Sequence, residues 1–144
     1  MSEISVEIFK QISAPSEKVA AFIEDFRNAK DWMVGVEDIE QTGDDKYKLT
    51  IESPVGKLEP EARISEHRPG YISWLYTSTV EGDGTVEVVG DKNGEAVVKY
   101  TGKFTLKGAI LSRAAKAVGM EGFARRQGER SLDRLKHLME ARRH

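Results

Sequence analysis

The chain of 144 residues contains no cysteine, which excludes a disulfide framework, a thiolate metal site and a cysteine nucleophile. No apolar run approaches the length needed to cross a bilayer, so no transmembrane segment is expected. The N-terminus, Met-Ser-Glu-Ile-Ser-Val-Glu, lacks a basic region followed by an apolar stretch, so no signal peptide is read there and a cytoplasmic location is expected. The usual signatures of chemistry are missing too. His67, His137 and His144 have no carboxylates at metal-ligand spacing, so no metal is expected. There is no Gly-x-Ser-x-Gly elbow and no phosphate-cradling glycine loop, so the sequence calls for no cofactor and assigns no catalytic residue. The length suits one domain, 1–144, able to bury a core without staples.

The charge is unevenly spread. From Lys107 onward there are 10 Lys and Arg against 4 Asp and Glu, although the whole chain carries a net −2. A basic C-terminal segment on an acidic body offers a weak anionic-surface contact, or simply a solvated helix face. An acidic chain without a clustered basic–aromatic strand face argues against nucleic acid.

That basic segment, Gly108 to Arg142, has no proline and is rich in helix-forming Ala, Leu, Arg and Glu. Leu132, Leu135, Leu138 and Met139 recur at the spacing of an amphipathic helix. As one rod it would run to roughly 50 Å, against a radius of gyration near 15 Å for a compact chain of this size, by the usual scaling. A bend or break is therefore expected near Gly119 to Gly122, with the strongest helix from Glu121 to Arg142.

Upstream the chain alternates. Ile4, Val6, Ile8 and Ile12 mark a half-buried strand, and Ser13 or Ser16 around Pro15 can cap a helix carrying Val19, Phe22, Ile23 and Phe26. Asn28 to Met33 reads as a second short helix ended by Gly35. Six strand candidates follow: Val36–Gln41, Lys46–Ser53, Lys57–His67, Tyr71–Val80, Thr85–Gly90 and Ala96–Leu106. The turn formers between them include Gly43-Asp44-Asp45, Pro54-Val55-Gly56, Pro69-Gly70, Gly82-Asp83-Gly84 and Asn93-Gly94. Asn93-Gly94 is the strongest hairpin signal, because a type I′ turn needs positive φ at both central residues. Such short links make antiparallel neighbours. The order is strand, two helices, six strands, long helix.

Period-2 alternation assigns faces. Tyr47, Leu49 and Ile51 share one side, as do Ile72, Trp74, Tyr76 and Val80, and Val98, Tyr100, Phe104 and Leu106. These sides should meet the helix. Trp74, Tyr76, Tyr47 and Tyr100 would then bring rings with polar tips together, which suits an apolar pocket with a few orienting hydrogen bonds. Small Gly119 and Gly122 opposite them would leave room, with Val118 beside them. The alternative is a filled core in which the rings pack against Leu111, Val118 and the later leucines. On the opposite strand face, Glu59, Glu61 and Arg63 can be solvated or can steer an anion.

Several stretches resemble a known family: Ile12-Ser-Ala-Pro15-Ser-Glu-Lys-Val19, Phe22-Ile-Glu-Asp25-Phe, Asp31-Trp32-Met-Val-Gly35-Val36, Ala62-Arg63-Ile64-Ser-Glu66 with Pro69, Ile72-Ser-Trp74 and the closing Leu132 to Glu140. Together they resemble the START-like (SRPBCC) superfamily, in particular its polyketide cyclase/dehydrase and lipid-transport branch. The resemblance implies an α+β helix-grip fold, a curved seven-stranded antiparallel sheet around a long C-terminal helix, with two short helices after the first strand. It also implies a cavity of several hundred cubic ångströms for an apolar or aromatic small molecule, with Trp32 at the mouth. The expected ligand-binding set is Trp32, Tyr47, Leu49, Ile51, Trp74, Tyr76, Tyr100, Phe104, Val118 and Gly122. A carrier or sensor is the first expectation and a cyclase or dehydratase in the same cavity the alternative. A third, from another class, is an interaction module working through its basic helix.

Overall fold

The structure, a computed structural model, describes residues 3–141, without the side chains of residues 109, 111 and 112. The contacts expected of Leu111, like Arg142 and His144, lie outside the described residues. Strand β1 (Ile4–Ile12) leads into α1 (Ser16–Glu24), a 3-10 turn (Phe26–Asn28) and α2 (Ala29–Trp32). Then come β2 (Val36–Gly43), β3 (Lys46–Ser53), β4 (Gly56–Leu58), β5 (Glu61–Arg68), β6 (Tyr71–Tyr76), β7 (Val80–Lys92) and β8 (Glu95–Leu106). Two helices close the chain, α3 (Ala109–Ala117) and α4 (Met120–Ala141).

All strand pairs are antiparallel, in the order β1-β8-β7-β6-β5-β3-β2, with short β4 added to β3. The seven strands of this path form the curved sheet expected of a helix-grip fold, and α4 lies across its concave side, close to β1. The face assignment follows the alternation: Leu49, Ile72, Trp74, Val86 and Val98 are buried, whereas Lys48, Glu61 and Arg63 are exposed.

Local chemistry explains where the strand boundaries differ from expectation. Lys57–His67 is two strands because Pro60, with no N–H to give to a ladder, sits between them and offers its carbonyl to the Leu49 amide at 2.9 Å. Tyr71–Val80 stops at Tyr76, and the chain reverses through Thr77–Thr79, with Thr79 at φ 65°. Gly82-Asp83-Gly84 is not a turn at all but the first half of β7. Its glycines serve close approach: a Cβ on Gly84 would fall within the Trp74 indole, 2.8 Å from Nε1. Asn93 and Gly94 do form the β7–β8 turn, with φ of 55° and 81°. Neither Ser13 nor Ser16 caps α1. Pro15 holds the N-cap position with no side-chain cap, and the Ser16 hydroxyl donates instead to Asp91 at 2.8 Å.

The C-terminal segment breaks at Gly119, whose φ of 69° suits glycine. Gly122 stays inside α4. Below the break, Gly128, Ser131, Leu132, Leu135 and Met139 form the buried stripe of α4. Full burial of each leucine contributes about 1.5–3 kcal/mol, so the C-terminal half of α4 anchors the helix to the sheet. Between Phe123 and Leu132 the helix presents Ala124, Gln127, Gly128 and Ser131, which are too small or too polar to fill the same space.

Candidate functional site

Where α4 presents its small residues, a cavity of about 120 Å³ remains between helix and sheet. Tyr76, Tyr100 and Phe104 line it from the strands, Trp32 and Met33 from the α2 corner, and Phe123, Ala124 and Gly128 from α4. The volume is well below the several hundred cubic ångströms expected. It is of the order of the ~150 Å³ apolar cavity that accepts benzene in a well-studied engineered protein.

The expected ligand-binding residues divide into three groups. Trp32, Ile51, Tyr76, Tyr100 and Phe104 line the cavity. Tyr47, Leu49 and Trp74 do not: they are buried elsewhere, Tyr47 and Trp74 against Phe26, with ring centroids 5.0 and 5.1 Å away. The 3-10 turn drives Phe26 between them, and this splits the aromatic set into a packed core trio and a cavity group. Val118 and Gly122 face solvent, Val118 at 47% exposure. The glycine that makes room is Gly128, where a Cβ would meet Ile8 Cδ1 at 2.6 Å and the Tyr100 ring at 3.4 Å. Helical geometry carried this signal. At 100° per residue Gly128 lies within about 40° of Leu132 and Leu135, while Gly122 lies about 80° off Leu132.

Two sequence-distant features shape the walls. The Ser131 hydroxyl accepts from the Val34 amide at 2.8 Å and donates to the Gln127 carbonyl at 2.6 Å. Gln127 Nε2 donates to the Val34 carbonyl at 3.4 Å, so both backbone groups of Val34 are held by α4. Neighbouring Gly35, at φ 95°, passes so close to α4 that a Cβ would meet Gln127 Nε2 at 2.7 Å. No motif announces this latch. On the sheet side the Tyr100 ring lies over Gly102, where a Cβ would come within 2.8 Å of the hydroxyl.

Burial pushes the Tyr100 phenol well above its ordinary value, and the nearby Tyr76 adds to the shift. Tyr76 is also raised, chiefly by burial. The Trp74 indole counteracts this in part, but without hydrogen-bond geometry, so its Nε1 is the one fully buried side-chain polar atom among the described residues with no partner. Both phenols therefore stay neutral at physiological pH, as hydrogen-bonding groups in an apolar chamber. The linkage has a definite sign. Below pH ~10 Tyr100 is protonated in folded and unfolded chains alike. As pH rises further the unfolded chain loses this proton first, so the folded state loses stability. Urea unfolding followed from neutral pH to above pH ~10 should show a smaller alkaline loss in Tyr100→Phe than in the wild type. Equal losses would place the Tyr100 hydroxyl in bulk-like water.

Elsewhere, the Tyr47 hydroxyl end opens on a polar groove beside Glu24, Asp25, Arg27 and His67. The Asp25 carboxyl there is held below its usual range first by the Arg27 guanidinium, which it binds at 2.8 Å. No helix among the described residues is long and apolar enough to cross a membrane.

The architecture recurs in solved structures. A protein from Thermus thermophilus superposes with a TM-score of 0.80 at 15% identity, covering 95% of this chain and 97% of that one. The Zhui aromatase/cyclase from Streptomyces sp. R1128 gives 0.76 at 15% identity, covering 98% and 96%. A START superfamily protein from Mycobacterium smegmatis gives 0.63 at 10% identity, covering 89% and 97%. Identities this low carry the fold and no more. Among curated proteins, none matches the sequence. The sequence profile of polyketide cyclase / dehydrase and lipid transport proteins matches residues 3–140, nearly the whole described chain, and the protein therefore belongs to that family.

Proposed function

We propose that the chain binds a small apolar or aromatic molecule in the cavity between α4 and the sheet, as a carrier or sensor. The observation that carries this reading is the cavity itself. An apolar chamber of about 120 Å³ persists where α4 turns Ala124 and Gly128 toward Tyr76, Tyr100 and Phe104. A protein working only through its surface helix has no use for such a space, and filling it would add stability. The chamber suits a single substituted ring or a short branched chain, oriented by the two phenols. Family membership supports an apolar ligand without naming one.

The pair of tyrosines favours a second reading, a cyclase or dehydratase that folds a flexible substrate and moves protons through Tyr100. Two features weigh against it. Raised pKa values leave both phenols poor proton donors and acceptors near neutrality. The volume also falls far short of a folded polyketide.

Native mass spectrometry of freshly purified protein, compared with its denatured mass, tests the proposal, followed by calorimetric titration with toluene and indole. Retention of a small molecule, or saturable binding of either probe, is expected. Tyr100→Phe should keep probe affinity within about fivefold, since loss of one neutral hydrogen bond is worth about 1 kcal/mol. An empty protein that ignores both probes would overturn the reading. Turnover of an identified ligand that disappears in Tyr100→Phe would establish the enzyme instead.

A further inference from the structure

Helix α3 exposes apolar surface that no other described residue covers. Ile110 is 84% exposed, the highest among the large apolar side chains described, and Val118 just past the helix end is 47% exposed. Ile110, Ala114 and Ala117 follow one another at the four-and-three spacing of a single helix stripe, and Val118 continues it. Ala115 points the other way and is buried.

The segment that carries the stripe is rich in cations. Between Lys107 and Arg126 stand five basic residues, Lys107, Arg113, Lys116, Arg125 and Arg126, and one acid, Glu121. None of the five makes a salt bridge with a described residue, although Lys10, Lys30, Lys48, Lys57, Arg68 and Lys99 all do. Before residue 107, seven of the twelve Lys and Arg are paired in this way, Arg27 with Asp25 included; on this segment none of the five is.

The mounting of α3 is also unusual. Gly108 before it and Gly119 after it both take positive φ, 92° and 69°, so the helix hangs between two glycine joints. Beneath it runs a cleft of about 250 Å³ lined by Ile4, Leu106, Ala115 and Met120 together with the charged Glu3, Lys116 and Glu121. A helix that turned Ile110 inward would have helped fill that cleft. Instead Ile110 points to water.

We propose that α3 docks the protein on an anionic lipid bilayer, with Ile110 and Val118 entering the headgroup–acyl boundary and Lys107, Arg113 and Lys116 lying over headgroup phosphates. The stripe is narrow and half alanine, too small for the ~800 Å² per partner of a stable protein interface. A bilayer asks for no shape complementarity. It needs only an inserted apolar residue and nearby cations. The acidic body would be repelled by the same surface, which fixes the approach with α3 leading. This inference is independent of what the cavity holds.

Co-sedimentation of the full chain with vesicles tests it, using phosphatidylcholine alone and phosphatidylcholine mixed equally with phosphatidylglycerol. Wild-type protein should partition onto the mixed vesicles, weakly onto the neutral ones, and release as salt is raised. Ile110→Ser should lower partitioning about tenfold or more. Arg113→Gln with Lys116→Gln should lower it about 25-fold, at about fivefold per cation. Both changes lie on exposed positions, so the fold persists. Val89→Ser, which alters an exposed valine on β7, should bind as wild type does. Equal binding to both vesicle types, or Ile110→Ser binding unchanged, would overturn the proposal. Absence of vesicle binding together with an Ile110-dependent dimer would also overturn it, and would make a second copy of the chain the occupant of the stripe.

Discussion

Gly82→Ala should lower stability by about 3 kcal/mol or more, the largest effect expected of any single methyl group added to this chain. Two causes act together. The residue sits at φ 140°, where a side chain is strained, and its Cβ would overlap the Lys103 carbonyl oxygen and reach Phe104 Cα at 2.6 Å. Those are backbone atoms of β8, so relief requires parting the two longest strands of the sheet. With a urea m-value of about 1–3 kcal/mol per molar, the midpoint should fall by at least about 1 M. Gly90→Ala on the same strand is the control, because no atom lies within 4 Å of its Cβ and its φ is not positive. It should stay within about 0.5 kcal/mol of wild type. Equal effects at the two sites would mean that β7 and β8 do not approach as described.

Ala124→Phe should abolish toluene and indole binding while leaving the fold as stable as before, or more so. Ala124 lines the cavity from α4, and a phenyl group there points into empty space. At about 24 cal/mol per Å³ of cavity, filling about 120 Å³ sets an upper gain near 3 kcal/mol, from which overpacking at the walls subtracts. Loss of binding with retained stability separates a blocked chamber from a damaged fold. Chemical denaturation and calorimetry on one sample read both. A variant that still binds the probes at wild-type affinity would move the binding site away from α4.

Much of this architecture was written in periodicities. The strand-helix-helix-strands-helix order, the Asn93-Gly94 hairpin, the Leu132/Leu135 stripe and the helix break at Gly119 all follow from spacing and turn chemistry, which act over a few residues. The errors arose where one segment's meaning depends on a distant one. Gly82 and Gly84 look like a turn until Trp74 and β8 are set against them. Nothing near Trp74 or Tyr47 in sequence says that Phe26, more than twenty residues before Tyr47, will wedge between them and withdraw both from the cavity. Gly128 is a different case. It lies on the helix's own buried stripe, and its role was legible from the leucines that follow it. The Ser131–Val34 latch joins residues 97 apart and has no local signature.

The Tyr100 ring lies in a slot between two glycines, Gly102 beneath it and Gly128 above. The chamber's floor is thus a removable plate, not a wall of the sheet. Exchanging that ring for a smaller or larger side chain would redraw the enclosed shape while the backbone hydrogen bonds of β7, β8 and α4 stay as they are. A scaffold made this way can change what it admits through one codon at a time. If the chamber holds the proposed ligand, its preference and the chain's foldability are carried by different residues, and selection can act on the first without endangering the second.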